Sequence, residues 1–441
     1  MADKARSSDP AVQKQLDRLT MLSPGRDVLG LERISELLRR LGNPQDHLPP
    51  VFHVAGTNGK GSTCAFLRAA IEAAGLRTHV YSSPHLVRFN ERIRVAGQLI
   101  DDAELAPLLA EVLDCSEDIH PSFFEATTAA AFLAFTRTPA EACIIEVGLG
   151  GRLDATNIIP APVVCGIAQL GVDHQAFLGE TEVEIAGEKA GIAKPGVPLV
   201  TMAYSAPLTE RIAEVADSAG APVFRRGLTW DATIYANRLH YRDDKGKFDA
   251  PLPRLPGEHQ VTNAGLAFAM LRHQNAVAIP ETALKAATGW AQWPARLHHL
   301  SPGPLTALLP EGTELWLDGG HNPAAGESIS GYFREHLKGR TLHIVLGMLE
   351  NKDPMGLLAH FGGLAATVHS VPVPDHAHHS PEALATMAAR IGAQGIAARD
   401  VRDALMQISE QLDPVEPAAV LILGSLYLAG EVLTANDQLP E

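Results

Sequence analysis

From about residue 51 onward, short β-branched apolar runs alternate with longer Ala- and Leu-rich segments of helical period. The runs VFHVAG (51–56), THVYSS (78–83), CIIEVG (143–148), VVCGIAQL (163–170) and VPLVTM (197–202) fill the first half. LWLDGG (315–320), HIVLGM (343–348), VHSVPV (368–373) and VLILGSLYLAG (420–430) fill the last third. Strands separated by helical segments predict βαβ units around mostly parallel sheets, so the fold class is α/β with two separate sheets. Between them, residues 228–255 alternate polar and apolar positions around a DDKGK turn signal, which predicts a short antiparallel excursion before a helix at 260–274. WAQWPAR (290–296) reads as a linker, giving a first domain at 1–295 and a second at 296–441. The longest apolar stretch, 417–430, is shorter than the roughly 20 residues of a membrane span and reads as a buried strand and turn.

At 441 residues, with 46% hydrophobic and 20% charged residues, the chain has the apolar content to bury a substantial core. Thirty-six Lys and Arg against 51 Asp and Glu give a net charge of −15, which argues against nucleic acid as a partner. Cys64, Cys115, Cys143 and Cys165 are scattered without a CxxC pair, so free thiols in a reducing compartment are expected. The polar N-terminus lacks the apolar segment of a secretory signal, and the expected location is the cytoplasm, with no membrane partner.

The strongest local signal is the run 51–55 followed by GTNGKGS and then an Ala-rich helical stretch ending at Gly75. Gly56, Thr57, Asn58, Gly59, Lys60, Gly61 and Ser62 form a predicted phosphate loop. Glycines let successive N–H groups face the phosphates, the helix N-terminus adds positive potential, and Lys60 meets the terminal phosphates. Ser62 or Thr63 is placed to help hold magnesium. The spacing departs from GxxxxGK[ST], because two residues separate Gly56 from Gly59-Lys60 and Gly61 precedes Ser62. In CIIEVGLGGRLDATN (143–157) an apolar strand ends in Glu146 and opens into a Gly-rich loop. A strand-end carboxylate suits a hard cation beside ATP, though a structural ion pair is the competing reading for Glu146.

Taken in order, GTNGKGS, SSPHL (82–86), EVGLGGRLDATN, VDHQAFLG (172–179) and GEKAGI (187–192) resemble the folylpolyglutamate synthase family. That family belongs to the ATP-dependent amide ligases that include the Mur ligases, and its bacterial members often also act as dihydrofolate synthases. The likeness continues through LPGEHQVTNA (255–264), PARL (294–297), LDGGHNP (317–323) and LGMLENKD (346–353), most of the chain.

The resemblance implies a P-loop ATPase domain followed by a smaller Rossmann-like ligase domain. It assigns the ATP phosphates to Lys60 and the loop amides, and two magnesium ions to a site that includes Ser83, Glu146 and His174. Read alone, His174 would be a local cap or a core histidine. Lys189 would be a helix lysine paired with Glu184 or Glu188; the resemblance implies a carbamylated side chain instead. Asn263, Arg296 and Asp318 match the positions that hold adenosine between the domains, and His321 matches one that shapes the ligase site. Leu29 and Gly30 in LGLERI, Phe124 in SFFEATT and Arg152 in GGRLDATN are the implied substrate contacts, with Phe124 set to stack on a flat ring. Phe123 and Phe124 also read as core filler at a helix start.

The implied reaction adds L-glutamate to dihydropteroate, and to reduced folates, through an acyl phosphate made at the expense of ATP. Closure about a hinge near 293–296 would keep water from that intermediate, and a monomer is the expected state. A folylpolyglutamate synthase with one activity, a Mur-type amino-acid ligase and a non-catalytic ATP switch are the rival readings. Only 55 residues precede Gly56, which leaves little room for the separate nucleotide-sugar domain of a Mur-type enzyme. Gly320 stands where alanine is frequent in the family and Asn351 where an acidic residue is common; neither removes a required group. His376, His378 and His379 read as a solvated turn without a metal.

Overall fold

The computed structural model describes residues 5–22, 29–116, 118–413 and 416–440. It divides into two compact units, Met1–Arg254 with Gln260–Gln292, and Leu255–His259 with Trp293–Glu441.

The first unit is built on an eight-stranded sheet, β4-β3-β2-β5-β1-β6-β7-β8. Its strands are β1 (Val51–Ala55), β2 (Thr78–Tyr81), β3 (Ile93–Val95), β4 (Gln98–Leu99), β5 (Ala142–Glu146), β6 (Val164–Ile167), β7 (Leu199–Thr201) and β8 (Val223–Arg225). From β2 through β8 in that order the pairs are parallel, whereas the short β3 and β4 run antiparallel at the edge. Central β1 and β5 are buried along their whole length because helices cover both faces, which is why both read as continuous apolar runs. The register Val54↔Glu146 and Ala55↔Ile167 brings the carboxyl ends of β1, β5 and β6 to one rim. Open parallel sheets bind ligands at that rim. The helix after β1, Lys60–Ala73, closes with Gly75 at φ +81°, donating to Glu72 O, and Leu76 N donating to Ile71 O. This is the predicted glycine stop.

The expected antiparallel excursion is a three-stranded sheet of β9 (Trp230–Tyr235), β10 (Arg238–Asp243) and β11 (Gly246–Ala250). Trp230, Tyr241 and Phe248 fill its inner face, and Tyr241 meets Phe268 edge-on at 5.9 Å on helix His259–Arg272. That helix lies within two residues of the expected 260–274.

The second unit carries a six-stranded sheet, β12-β13-β17-β14-β15-β16. Its strands are β12 (His298–His299), β13 (Glu314–Leu317), β14 (Thr341–Leu346), β15 (Ala365–Ser370), β16 (Gln394–Ala397) and β17 (Ala418–Leu423); all but β12 are parallel to their neighbours. The apolar run 417–430 is β17 followed by the start of helix Leu426–Ala435, rather than strand and turn alone. Among the described residues no helix is long and apolar enough to cross a membrane. The four cysteines are free.

Candidate active site

The loop after β1 takes its shape from two glycines. Gly56 has φ +149°, and a Cβ there would sit 2.8 Å from the Ala168 Cβ; Gly59 has φ +84°, and a Cβ would meet Asn263 Oδ1 at 2.5 Å. Thr57 N and Asn58 N donate to Gln169 O at 2.9 and 3.1 Å, and the Thr57 hydroxyl donates to Gly171 O at 2.9 Å, tying the loop to the segment after β6. Gly59 stands at the N-cap position and has no side chain to cap with, so the first-turn amides at Lys60, Gly61 and Ser62 are left to an anionic ligand. The Thr63 hydroxyl donates to Gly59 O at 2.9 Å, which leaves Ser62 as the better of the two metal candidates.

Two lysines converge on one carbonyl. Lys60 Nζ donates to Gly56 O at 3.2 Å and Thr57 O at 3.4 Å, and Lys189 Nζ donates to the same Gly56 O at 3.0 Å. The local partners considered for Lys189 are taken elsewhere. Glu184 closes a capping box with Thr181 at the start of helix Glu182–Ala190, and Glu188 Oε1 accepts Arg152 Nε at 3.0 Å and a terminal nitrogen at 2.9 Å. Lys189 is only 5% exposed. Burial, and then the charge of Lys60, push its pKa down to about 7, against weaker opposition from Asp173 and Asp154.

Glu146 ends β5 at 4% exposure, and its Oε2 accepts the Ser83 N–H at 3.4 Å. Two of the three expected metal ligands therefore stand together, and their hard oxygens fit magnesium. His174 is 46% exposed, with φ +54° and Nε2 4.0 Å from Asp173 Oδ1. It lies on the loop after β6, and β1 separates that strand from the strand of Glu146.

The loop 147–157 is pinned by residues that sequence reasoning passed over. Asp154 accepts Leu149 N at 2.8 Å, Thr156 N at 3.0 Å and the Thr156 hydroxyl at 2.5 Å. The Thr156 oxygen also lies 2.9 Å from His53 Nε2. Because that hydroxyl gives its proton to Asp154, His53 must donate from Nε2. Burial, with the charge of Lys194 adding, pushes the pKa of His53 down to about 3, and burial raises that of Asp154. The DATN sequence carried a signal, since Asp is a favoured cap and here begins the turn Ala155–Ile158.

Phe124 covers this loop: a Cβ on Gly148 would lie 2.4 Å from its Cζ, and Tyr81 is 5.7 Å away. Phe123 is core, as the bland reading of the pair had it, while Phe124 is only half-buried. Leu29 and Gly30 precede helix Glu32–Arg40, whose Arg33 Nε donates at 3.0 Å to Glu125, the capping-box residue beside Phe124. Arg152, exposed and paired with Glu188, is held at the rim of the same loop.

Asn263, in the first unit, is buried and donates to Gln260 Oε1 at 3.1 Å. In the second unit, Asp318 Oδ2 accepts Leu297 N and Oδ1 accepts Gly320 N, both at 2.7 Å. Burial raises its pKa, while Arg296 opposes the shift. Arg296 donates to Ala295 O at 2.8 Å, and His321 Nδ1 lies 2.9 Å from Gly319 O, which makes Nδ1 the donor and leaves Nε2 as an acceptor. The histidines at 376–379 are less solvated than expected. His376 stacks on Tyr427 at 3.8 Å, and His379 Nε2 lies 3.0 Å from Lys352 O.

Residues 307–426 match the family model of the Mur ligase glutamate ligase domain. The chain is 38% identical over 332 residues to the dihydrofolate synthase/folylpolyglutamate synthase of Escherichia coli, covering 75% of this chain and 74% of that one. The structure of E. coli FolC with DHPP and ADP superposes with a TM-score of 0.87 at 32% identity, covering 98% of both chains. A bifunctional folylpolyglutamate synthase/dihydrofolate synthase with Mn, AMPPNP and L-glutamate bound superposes at 0.84 and 31% identity, covering 98% of this chain and 99% of that one. On that identity and coverage, the chain belongs to the dihydrofolate synthase/folylpolyglutamate synthase family and is an ATP-dependent ligase.

Proposed function

We propose that the chain joins the amino group of L-glutamate to the carboxylate of dihydropteroate, and separately to the terminal glutamate of a reduced folate. The observation that carries this reading is the rim at the carboxyl ends of β1, β2 and β5. There the glycine loop, Lys60, Lys189 and the Ser83–Glu146 pair stand together. Relatives and structural neighbours named for these two activities support it, including one holding an ATP analogue, manganese and L-glutamate.

The acceptor carboxylate attacks the γ-phosphorus of ATP, the bond to the bridging oxygen of ADP breaks, and an acyl phosphate forms. The neutral amine of glutamate then attacks the acyl carbon; inorganic phosphate departs and the nitrogen sheds a proton, leaving an amide. Lys60 and the amides from Gly56 to Ser62 bind the phosphates, and their preorganised positive ends meet charge as it develops. Ser83, Glu146 and His174 would hold magnesium, with Ser62 beside the phosphates; the metal supplies charge neutralisation on the phosphate oxygens. Lys189, with a pKa near neutrality, has a large unprotonated fraction able to add to carbon dioxide. The lone pair of the neutral amine forms the N–C bond, one C=O π bond of carbon dioxide opens, and the nitrogen sheds one proton, leaving a carbamate anion beside Lys60. Asn263, Arg296 and Asp318 hold adenosine and His321 lines the ligase site, while Leu29, Gly30, Phe124 and Arg152 receive the pterin substrate. The working protein is taken as a cytoplasmic monomer, without nucleic acid or membrane partners.

The test is ADP release with mass analysis of products, from ATP, magnesium, L-glutamate and either dihydropteroate or tetrahydrofolate. One added glutamyl group on each acceptor is the expected result. Addition to tetrahydrofolate alone leaves a folylpolyglutamate synthase, and no turnover with either overturns the reading.

A further inference from the structure

The loop from the end of β2 to the start of β3, residues 82–92, carries Ser83 and is closed at its base by Ser82 N donating to Arg92 O at 3.1 Å. Two adjacent side chains at its C-terminal end, Glu91 and Arg92, reach back to the rest of it. The Glu91 carboxylate accepts three consecutive backbone amides, Leu86 N at 2.8 Å, Val87 N at 2.9 Å and Arg88 N at 2.6 Å. These are charge-assisted bonds, about twice as strong as neutral ones. Arg92, only 2% exposed, lays its guanidinium over the rings of Phe123 (5.3 Å) and Phe89 (5.8 Å) and donates from Nε to His85 Nδ1 at 2.8 Å. The bond fixes His85 as the neutral tautomer protonated at Nε2. Asn90 anchors the pair from behind, donating to Ile100 O and Asp102 Oδ1, both at 2.9 Å.

We propose that Glu91 and Arg92 are positioning residues: they hold the 82–88 segment in its curled form and so set Ser83 against Glu146 before the metal arrives. The inference rests on the reading of Ser83 and Glu146 as metal ligands. Neither Glu91 nor Arg92 need touch substrate, because the physical route is short. Ser83 N already meets Glu146 Oε2 at 3.4 Å, and the clamp just described takes hold three residues further on, at Leu86. A loop set in advance does not have to be ordered by the ion, so losing the clamp falls on metal affinity.

The experiment measures ADP release by the full chain against manganese concentration for the wild type, Glu91→Gln, Arg92→Lys and Ser83→Ala. The Gln side chain turns one acceptor oxygen into an NH2 group facing backbone amides. Arg92→Lys keeps the charge but not the fixed Nε–H. Both should raise half-saturating manganese about tenfold or more, in line with the loss of an outer-shell partner, with little change in kcat at saturating metal or in the KM for ATP. A merely structural role would lower the active fraction without moving half-saturation. Manganese titration followed by electron paramagnetic resonance on the folded fraction gives the same answer where a variant folds poorly. Unchanged half-saturation in Glu91→Gln, with a clear rise in Ser83→Ala, would overturn the inference and leave the metal reading intact. No rise in Ser83→Ala would bring down the assignment of Ser83, and the inference with it.

Discussion

Lys189→Met should make the folded chain more stable and abolish its activity. An amine whose pKa falls from an ordinary 10.5 to about 7 costs the fold about 5 kcal/mol at neutral pH, at about 1.4 kcal/mol per factor of ten. Methionine of similar length removes that cost. Against it stands the lost bond to Gly56 O, worth about 1–2 kcal/mol, and that oxygen keeps Lys60 as a donor. The net gain is about 3 kcal/mol, or about 1 M in urea midpoint for a slope of about 3 kcal/mol/M. The sign follows from proton binding: between pH 7 and 10.5 the unfolded lysine holds a proton that the folded one has released. The wild type therefore gains on the variant as pH rises through that window, draws level at about pH 9 to 9.5 at about 1.4 kcal/mol per pH unit, and above it keeps the advantage of the bond to Gly56 O. Urea unfolding followed by tryptophan fluorescence in CO2-free buffer at pH 6.5, 8 and 9.5 tests this. An equal or lower midpoint for Lys189→Met at pH 6.5, or a difference that persists unchanged at pH 9.5, refutes the reasoning. In bicarbonate, the wild type alone should gain stability as the amine is carbamylated.

Gly59→Ala would force a left-handed residue and bring a Cβ to 2.5 Å from Asn263 Oδ1, so ADP affinity by calorimetry should fall at least about tenfold while the far-ultraviolet spectrum is kept. Gly148→Ala meets the Phe124 ring at 2.4 Å, an overpacking cost of about 1–3 kcal/mol; the KM for the pterin acceptor should rise more than that for ATP in steady-state rates. Thr156→Val strips a donor from Asp154 and leaves His53 Nε2–H without its acceptor, costing about 2–4 kcal/mol by thermal unfolding, and Thr156→Ser should recover most of it. In the second unit burial pushes the pKa of His343 down from 6.5 to about 4, so its stabilising effect is full above pH 6.5 and is lost as pH falls through 4. His343→Leu should move the acid-unfolding midpoint, followed by circular dichroism, to lower pH.

The parts of the site legible in the sequence are those whose geometry is local. Gly56 to Ser62 can be read because strand, turn and helix start follow one another within a dozen residues, and each step has its own residue requirement. Glu146 can be read because a carboxylate at the end of an apolar run has one place to go, the rim of the sheet. The short β3, β4 and β16 could not, since two to four residues in polar surroundings show no period and owe their existence to a neighbour's free edge. β8 is equally short and only half-buried.

What stayed hidden is the set of contacts that close across the chain. Lys189 reaches Gly56 over 133 residues, His53 reaches Thr156 over 103, and Arg33 reaches Glu125 over 92. Sequence spacing offered Lys189 only its own helix, and on that helix Glu184 and Glu188 were plausible partners. The fold decided otherwise because each glutamate had a competing claim: Glu184 satisfies orphan amides at a helix start, and Glu188 faces Arg152 across the glycine-rich loop. A buried amine without a carboxylate is expensive, and the helix that carries it packs its backbone so close to Gly151 that a Cβ there would meet Glu188 O at 2.7 Å. Gly151 of GLGG thus lets the loop lie directly on this helix, beside Lys189. A site that needs an amine free to react near neutral pH has reason to tolerate that cost at Lys189, which is why relieving it should separate stability from activity.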